Sequence, residues 1–280
     1  MYPMIDLGFL EIPTYWILNL LGVFIGYFFI KINNKHKHYQ LPTQDILYLT
    51  LFTIIGAIIG ARLLFVITYI PQIIESPSIL IILFIRGGSV FLGGVIGGFL
   101  FAILYIKMYG LDPVKYFNLF IISLPLGHAI GRVGCFLAGC CYGKPTDSFI
   151  GVVFPEGPVH PHGIGPVHPT QLYAVAYNLL IFAILMILFY KLKKHKPYFF
   201  FGLYMILYSV FRFINEFFRG DEHRGVWFLS TSQWISIILL GLGLYVLFGN
   251  IQKFKWFHRT SPSSKSYNKF LEKQKESDKS

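Results

Sequence analysis

Charged side chains are scarce in this chain, and acidic side chains most of all. Of the 280 residues, only 13 are Asp or Glu, and charged residues of both signs make up 13%. So little charge cannot cover the surface of a soluble globule of this length, and 55% of the residues are hydrophobic. Cysteine is also rare, and the odd count of three leaves at least one thiol free. The composition predicts a polytopic membrane protein.

Long apolar runs make up most of the sequence. Runs of about 20 residues are long enough to cross a bilayer as helices, and a shorter run from Ile79 to Ile85 is better suited to an interfacial or re-entrant segment. We therefore expect an all-α polytopic membrane protein with about seven transmembrane helices. The predicted spans are Ile12 to Ile30, Ile46 to Ile70, Gly87 to Ile106, Tyr116 to Leu137, Thr170 to Tyr190, Tyr198 to Phe218 and Ser232 to Gly249.

Lysine and arginine are distributed unevenly between the connecting segments. The segments after the first, third, fifth and seventh spans hold 3, 2, 4 and 8 of them, and the intervening segments hold only Arg86, Lys144, Arg219 and Arg224. Because cytoplasmic loops are enriched in these residues, the N-terminus is expected outside and the C-terminus in the cytoplasm. The net charge of +11 is then mainly a topology signal and an attraction to anionic lipid, and it does not indicate nucleic acid binding.

The sequence indicates one membrane domain, residues 1–257, followed by a basic cytoplasmic tail, residues 258–280. The tail is rich in Ser and Lys and nearly free of apolar residues, so we expect it to be disordered. The first apolar run has no basic segment before it and no small-residue cleavage site after it, which favours a retained helix. No solenoid period or inverted duplication is visible, and this counts against a secondary transporter.

Arginine residues inside the predicted spans are the most informative feature. Arg62, Arg132 and Arg212 lie within spans, and only one acid, Glu216, has a comparable position. An arginine in hydrocarbon costs about 2.5 to 3.5 kcal/mol on insertion scales, so each is a candidate functional residue. The excess positive charge favours an anion, and the abundant anion in a bilayer is a lipid phosphate, which arginine binds in bidentate fashion. Arg62 has the alternative of snorkelling or capping a helix end.

The sixth predicted helix carries a polar face. Tyr208, Arg212, Glu216 and Arg219 follow one another at spacings of four, four and three residues, so they project from the same side. One hypothesis is an Arg212 to Glu216 pair that only holds helices together. The other is a cationic pocket for an anionic headgroup, in which Glu216 orients Arg212.

Further candidate residues lie near the outer ends of the predicted helices. Tyr15 fits either a pocket wall or an interfacial aromatic belt. The sequence from His168 to Tyr173 predicts a turn that starts the fifth helix and brings Gln171 to the same surface. His128 lies four residues before Arg132 and shares its face, although a histidine of the core is the commoner outcome.

Glycines are concentrated around Arg132 and at the start of the third predicted helix. Those near Arg132 allow another backbone or a ligand to come close. Those of the third helix, from Gly87 to Gly98, predict close helix packing or the wall of a lipid channel.

Cysteines and histidines raise the question of a metal. Cys135, Cys140 and Cys141 lie beside Arg132, and we interpret them as small apolar packing residues. His160, His162 and His168 have ligand-like spacing, but prolines interrupt it and no zinc-binding helix accompanies it. We expect no metal and no cofactor.

Together, these motifs resemble the bacterial prolipoprotein diacylglyceryl transferase family. The similarity extends from Pro13-Thr14-Tyr15 to Ser232-Gln233-Trp234, and its most specific parts are the Gly-Arg-x-Gly run that ends at Gly143, the turn from His168 to Tyr173, and the helix from Phe211 to Arg219. The resemblance implies a multi-pass enzyme of the bacterial cytoplasmic (inner) membrane. Such an enzyme transfers the diacylglyceryl group of phosphatidylglycerol to the lipobox cysteine thiol of a preprolipoprotein signal peptide, and releases glycerol phosphate.

The resemblance also implies roles for individual residues. Arg132 is expected to contact the phosphatidylglycerol headgroup, Arg212 and Glu216 to be essential, and Tyr15, Tyr208 and Gly143 to lie in or beside the pocket. We add Arg62, His168 and Gln171 as candidate phosphatidylglycerol-binding residues.

The sequence departs from the family pattern in three places. Cys135 and Cys140 stand where the family commonly has Asn and Glu, and Leu92 stands where many members have a histidine. The general base is therefore unassigned. The alternative functions are a channel or transporter for an anion or lipid, a non-catalytic lipid-binding scaffold, and a related transferase with a different acceptor.

Overall fold

The computed structural model describes residues 4–6, 8, 11–35, 39–86, 88, 90–155, 165–220, 225–226 and 228–249. Most of these residues are helical, which confirms the prediction of an all-α polytopic membrane protein. The helices of the described part are α1 (Thr14–Lys35), α2 (Thr43–Thr68), α3 (Ile70–Glu75), α4 (Ile79–Arg86), α5 (Phe91–Tyr109), α6 (Pro113–Leu137), α7 (Thr170–Lys191), α8 (Phe199–Glu216) and α9 (Thr231–Phe248). Two short antiparallel hairpins accompany them, β1 (Met4–Asp6) with β2 (Glu11–Pro13) and β3 (Gly225–Val226) with β4 (Leu229–Ser230).

Each predicted span corresponds to a helix. Among the described residues, six helices are long and apolar enough to cross a membrane: α1, α2, α5, α6, α7 and α9. The remaining predicted span is α8, which has 18 residues and carries Arg212, Asn215 and Glu216 near its end. Arg212 and Glu216, which belong to the polar face predicted for this span, lower its hydropathy.

The predicted bounds need small corrections. Ile12 and Pro13 pair with β1 as part of β2, so the first helix begins only at Thr14. The third predicted span begins at Phe91, and Gly87, where its start was predicted, lies outside the described residues. The short run before it is the eight-residue helix α4.

The chain divides into two compact units. The first consists of Met1–His36 and Phe117–Lys253, and it contains α1, most of α6, and α7 to α9. The described part of the second lies within Lys37–Tyr116 and contains α2 to α5 and the first turn of α6.

In the second unit, glycines allow the backbones of α2 and α5 to touch. A Cβ atom added to Gly60 would lie against the carbonyl oxygen of Gly93 and 2.8 Å from the Cα atom of Gly97. This is the packing through small residues that the glycine-rich third span predicted. The Tyr116 hydroxyl donates to the buried Asp45 carboxylate at 3.2 Å, which gives that acid a partner inside the unit.

The first unit is held together by similar contacts and by the described parts of the connection between α6 and α7. A Cβ atom on Gly22 of α1 would lie 2.7 Å from the carbonyl oxygen of Gly127 on α6. In the connection, Val152 and Val167 exchange two backbone hydrogen bonds of 3.0 and 3.1 Å. Lys144 donates its amide to the carbonyl oxygen of Phe218 at 2.9 Å. The connection is thereby fixed across the ends of α7 and α8.

Candidate active site

The chemically active side chains of the first unit lie where α6 and α8 end and where α1, α7 and α9 begin. In a membrane protein, the cost of isolated charges makes polar residues converge on one another. Here this convergence brings together Arg132 of α6, Arg212 and Glu216 of α8, and Ser232 of α9.

Arg132 lies on the last two turns of α6, and its contacts follow the helical periodicity. Its Nε–H group donates to Nε2 of His128, one turn earlier, at 3.3 Å. Because an arginine N–H can only donate, this contact requires an unprotonated Nε2 atom, so the His128 ring proton lies on Nδ1. The expectation that His128 shares the face of Arg132 is confirmed. The ring is close enough to both Arg132 and Arg212 for their charges to act on it.

Helix α1 packs against the glycines near Arg132. A Cβ atom on Gly131 would lie 3.0 Å from the Asn19 side-chain oxygen, and one on Gly134 would lie 3.4 Å from the Cα atom of Tyr15. The close approach predicted for these glycines is therefore that of another helix. It brings Tyr15, whose hydroxyl group was expected in the pocket wall, onto the turn of α6 that carries Arg132.

Arg212 is held from two helices. It forms an ion pair with Glu216 one turn later, and its Nη2 atom donates to the Ser232 hydroxyl of α9 at 2.8 Å. The Arg212 and Glu216 side chains are only 14% and 6% exposed. Buried charges of this kind are costly unless paired, and the second contact fixes the guanidinium plane as well as its charge. Ser232 was not among the site residues predicted from the sequence, because its contact with Arg212 spans 20 residues.

Aromatic rings form one wall around these charges. The Tyr208 ring lies 5.6 Å from the His128 ring and 6.2 Å from the Tyr177 ring. Tyr177 in turn stacks on Phe211 at 5.7 Å with an interplanar angle of 2°. Tyr208 thus lies beside the histidine that contacts Arg132, and its role in a pocket stays a prediction. Tyr177 was missed because nothing in α7 marks that ring.

Gly143 lies where three segments meet. Its amide donates to the carbonyl oxygen of His168 at 2.8 Å, and an added Cβ atom would press on the Phe218 carbonyl oxygen and come within 2.8 Å of the Thr170 methyl group. No side chain fits here. The function of Gly143 in this structure is to let the connection pass between the ends of α7 and α8.

His168 and Gln171 are engaged in the same junction. Nδ1 of His168 lies 2.9 Å from the Tyr173 hydroxyl, as expected for a turn that starts α7. Gln171 is buried, with 1% exposure, and its amide nitrogen donates to the Cys140 carbonyl oxygen at 2.7 Å. The structure therefore brings both residues to the edge of the site, with Gln171 turned toward the cysteine segment. His160 and His162 lie outside the described residues.

Arg219 is a further cation at this junction. Its Nη1 atom donates to the Cys141 carbonyl oxygen at 3.3 Å, and its backbone pairs with Gly143. The sequence signal for it was its place on the face of Tyr208, Arg212 and Glu216. Because Arg219 lies beyond the last residue of α8, helical periodicity does not predict its partner.

The three cysteines come together. Their Sγ atoms all lie within 4.8 Å of one another, and all three thiols are free. Hydrogen bonding with the thiols of Cys135 and Cys140 lowers the pKa of Cys141, against the effect of burial, and the charges of Arg219 and Arg132 lower it further.

Arg62 belongs to the second unit. Its Nη1 atom donates to the backbone carbonyl oxygen of Gly88 at 3.0 Å. Gly88 lies between α4 and α5, so Arg62 donates to a backbone group outside its own helix, and its part in binding phosphatidylglycerol stays a prediction. Leu92, on the first turn of α5, is 37% exposed.

The fold and this site define a class of protein: a multi-pass membrane protein with two arginines and one carboxylate at a shared site. A family model for prolipoprotein diacylglyceryl transferase matches residues 3–249. The chain belongs to the prolipoprotein diacylglyceryl transferase family, a family of membrane enzymes, and the resemblance seen in the sequence motifs is thereby confirmed.

Individual relatives agree with this assignment. The chain is 39% identical over 246 residues to the phosphatidylglycerol–prolipoprotein diacylglyceryl transferase of Clostridium tetani, with 88% of this chain and 95% of the relative covered. It is 37% identical over 206 residues to the second such enzyme of Clostridium perfringens, with coverage of 74% and 78%. It is 32% identical over 250 residues to the enzyme of Francisella tularensis subsp. mediasiatica, with coverage of 87% and 90%.

Proposed function

We propose that this protein transfers the diacylglyceryl group of phosphatidylglycerol to the lipobox cysteine of preprolipoproteins, in the cytoplasmic membrane of a bacterium. The names of its relatives support the lipid donor and the prolipoprotein acceptor. The lipobox thiol as nucleophile, the membrane and the orientation with the N-terminus outside belong to the proposal. So do a transferase domain of residues 1–257 and a cytoplasmic tail of residues 258–280.

The observation that carries the proposal is the surplus of positive charge at the site. Glu216 is the only acid in the sequences of α1 and α6 to α9, and it is already paired with Arg212. Arg132 has only the neutral His128 ring as its side-chain hydrogen-bond partner among the contacts described above. A site with this surplus is electrostatically suited to a phosphate group, since arginine binds phosphate with two parallel hydrogen bonds.

The same charges suit the reaction. The thiol sulfur attacks the glyceryl carbon, and the carbon–oxygen bond to phosphate breaks with its electron pair remaining on the phosphate oxygen. Negative charge grows on the leaving glycerol phosphate as the diester becomes a monoester. Arg132 and Arg212 stabilise that charge where it develops, and Glu216 with Ser232 keeps the Arg212 guanidinium oriented. Tyr15 and Tyr208 serve as hydrogen-bonding residues of the wall.

The location of the site agrees with an acceptor that arrives from one side of the membrane. The end of α6, the start of α7 and the end of α8 are joined by hydrogen bonds of Gly143, Lys144 and His168. The distribution of lysine and arginine supports the proposed orientation with the N-terminus outside, and in that orientation all of these ends face the outer side. A signal peptide that has crossed the membrane presents its cysteine there.

Rescue of a transferase-depleted bacterium tests the function in cells. We expect the wild-type gene to restore growth and the Arg132→Ala variant to fail at equal abundance in the membrane. Lys194→Ala, at an exposed cation after α7, is the matched control and should rescue fully. Failure of the correctly inserted wild-type protein would refute the transferase and favour a channel or transporter, and rescue by Arg132→Ala would refute the phosphate-binding role of that residue.

A further inference from the structure

The three cysteines converge because of how α6 ends. The Cys140 amide donates to the Cys135 carbonyl oxygen at 3.2 Å, and the Gly139 amide donates to the Phe136 carbonyl oxygen at 3.1 Å. Gly139 has a φ of 70°. These are the two hydrogen bonds and the left-handed residue of a Schellman motif, which brings the residue after the left-handed position against the last turn of the helix. Both residues that meet in this way are cysteines.

The backbone conformation of Cys141 directs its side chain toward Cys135 and Cys140. Cys141 has a φ of 67°, in the left-handed region that side chains other than glycine seldom adopt. Its carbonyl oxygen accepts from the Thr170 hydroxyl at 2.6 Å and from Nη1 of Arg219 at 3.3 Å. Together with the Gln171 contact to Cys140, these bonds occupy the backbone oxygens of the segment. The surrounding helices thus hold the backbone in a conformation that directs three sulfur atoms toward one another.

Three converging thiols have a specific chemical use. Soft thiolate ligands select zinc and copper(I), and catalytic zinc sites have three protein ligands with the fourth position left for water or substrate. In a tetrahedral site with Zn–S distances of about 2.3 Å, the sulfurs lie about 3.8 Å apart. The sulfurs here all lie within 4.8 Å of one another, so they need to approach by no more than about 1 Å to reach the tetrahedral separation. Arg219 and Arg132 offset the net negative charge of three thiolates around one Zn²⁺.

We propose that Cys135, Cys140 and Cys141 bind a zinc ion, and that the fourth position of this zinc takes the thiol of the acceptor cysteine. The second part of the proposal rests on the proposed function, because it requires an acceptor thiol. It departs from our expectation of packing residues and no metal, which was based on the residue types without their geometry.

The zinc gives the acceptor sulfur the charge it needs. A thiol that coordinates zinc loses its proton, which passes to water, and the bound sulfur remains a nucleophile as thiolate. That thiolate attacks the glyceryl carbon, a carbon–sulfur bond forms, and the carbon–oxygen bond breaks with its electron pair on the phosphate. The product thioether is neutral and a weaker ligand, so it leaves the metal. This step needs no histidine at the position of Leu92.

Metal binding is tested on the full-length protein in lipid nanodiscs without any lipobox peptide. After incubation with ZnCl₂ and removal of free ion, we expect about one zinc per chain, and at least a tenfold weaker affinity in Cys140→Ser and Cys141→Ser. Wild-type thiols should be protected by zinc from alkylation, as counted by mass spectrometry. This second readout needs no variant and stays informative if a variant does not fold. Equal zinc binding by wild type and serine variants, or a disulfide in place of free thiols, overturns the proposal.

The fourth position is tested with cobalt as a spectroscopic probe. The protein loaded with CoCl₂ should show thiolate-to-cobalt absorption that changes when a lipobox peptide is added. The same peptide with serine in place of cysteine should leave the spectrum unchanged. Identical spectra with both peptides overturn the assignment of the acceptor thiol to the metal.

Transfer assays separate this inference from the function on which it rests. Full transfer by metal-free, chelator-treated protein overturns the zinc proposal and leaves the proposed function standing. Cysteine-dependent metal binding with a response to the lipobox peptide, but without transfer, supports the metal site and contradicts the proposed function.

Discussion

The two units of this molecule use the same residue types for different purposes. In the second unit, the glycines of α2 and α5 bring two helices into contact, and Arg62 donates to the backbone oxygen of Gly88. In the first unit, Gly143 lets a connection pass between helix ends, and Arg212 is held by Glu216 and Ser232. An arginine in a membrane span is the stronger candidate for a site where, as at Arg212, an acid and a hydroxyl group from two helices hold it.

The largest expected effect is that of Arg132→Ala in the first unit. Loss of a cation that stabilises developing charge should lower the rate of peptide lipidation by about 10² to 10³. The initial rate measured with purified protein at fixed phosphatidylglycerol checks this. Thermal unfolding should be nearly unchanged in the variant, and a rate within about threefold of wild type would remove Arg132 from the mechanism.

The same substitution in both units compares them directly. We expect Arg212→Lys to lose about tenfold to a hundredfold in rate, since lysine cannot reproduce the fork that holds both Glu216 and Ser232. Arg62→Lys should lose less than about threefold, because the bond of Arg62 to the Gly88 backbone oxygen is one that a lysine can also make. Equal losses in the two variants, in parallel assays at equal protein concentration, would contradict the distinction between the units.

Ser232→Ala probes the support of Arg212 without touching its charge. The loss of one hydrogen bond to a charged group should reduce the rate by about threefold to tenfold and leave the ion pair with Glu216 in place. Ser236→Ala is the control on the same helix, since its hydroxyl bonds only the carbonyl oxygen of Ser232 at 2.8 Å among the contacts described. The account of Arg212 fails if the two variants have the same rate.

The smallest expected effect on the rate per folded molecule is that of Gly60→Ala. Both Gly60→Ala and Gly143→Ala overpack a backbone contact. Each should therefore lower the free energy of unfolding by roughly 1 to 3 kcal/mol, measured by thermal unfolding in detergent. Only Gly143→Ala should also lower the rate of the folded fraction, because it moves the connection at the site. A slower folded fraction in Gly60→Ala alone would reverse the assignment of functions to the two units.

The sequence predicted the helices well because bilayer thickness dictates the length of an apolar run. It also predicted the pairing of Arg212 with Glu216 and the shared face of His128 and Arg132, since both follow from helical periodicity. Hairpin β1–β2 was missed, because Ile12 and Pro13 continue the apolar run of α1 without a change in composition.

Contacts between distant residues could not be predicted from periodicity. Ser232 meets Arg212 across 20 residues, and Gln171 meets the Cys140 carbonyl oxygen across 31. The cysteine cluster depends on the Schellman motif that ends α6. The spacing of the cysteines in the sequence does not specify the hydrogen bonds of that motif. For this reason the cysteines were interpreted as packing residues, although their positions were known.

The most direct measurement combines the purified protein, phosphatidylglycerol and a lipobox peptide, and records both products. We expect a peptide heavier by one diacylglyceryl group, glycerol phosphate released in equal amount, and loss of both products in Arg132→Ala. An unchanged peptide, under conditions in which the relative from Clostridium tetani is active, would contradict the proposed function.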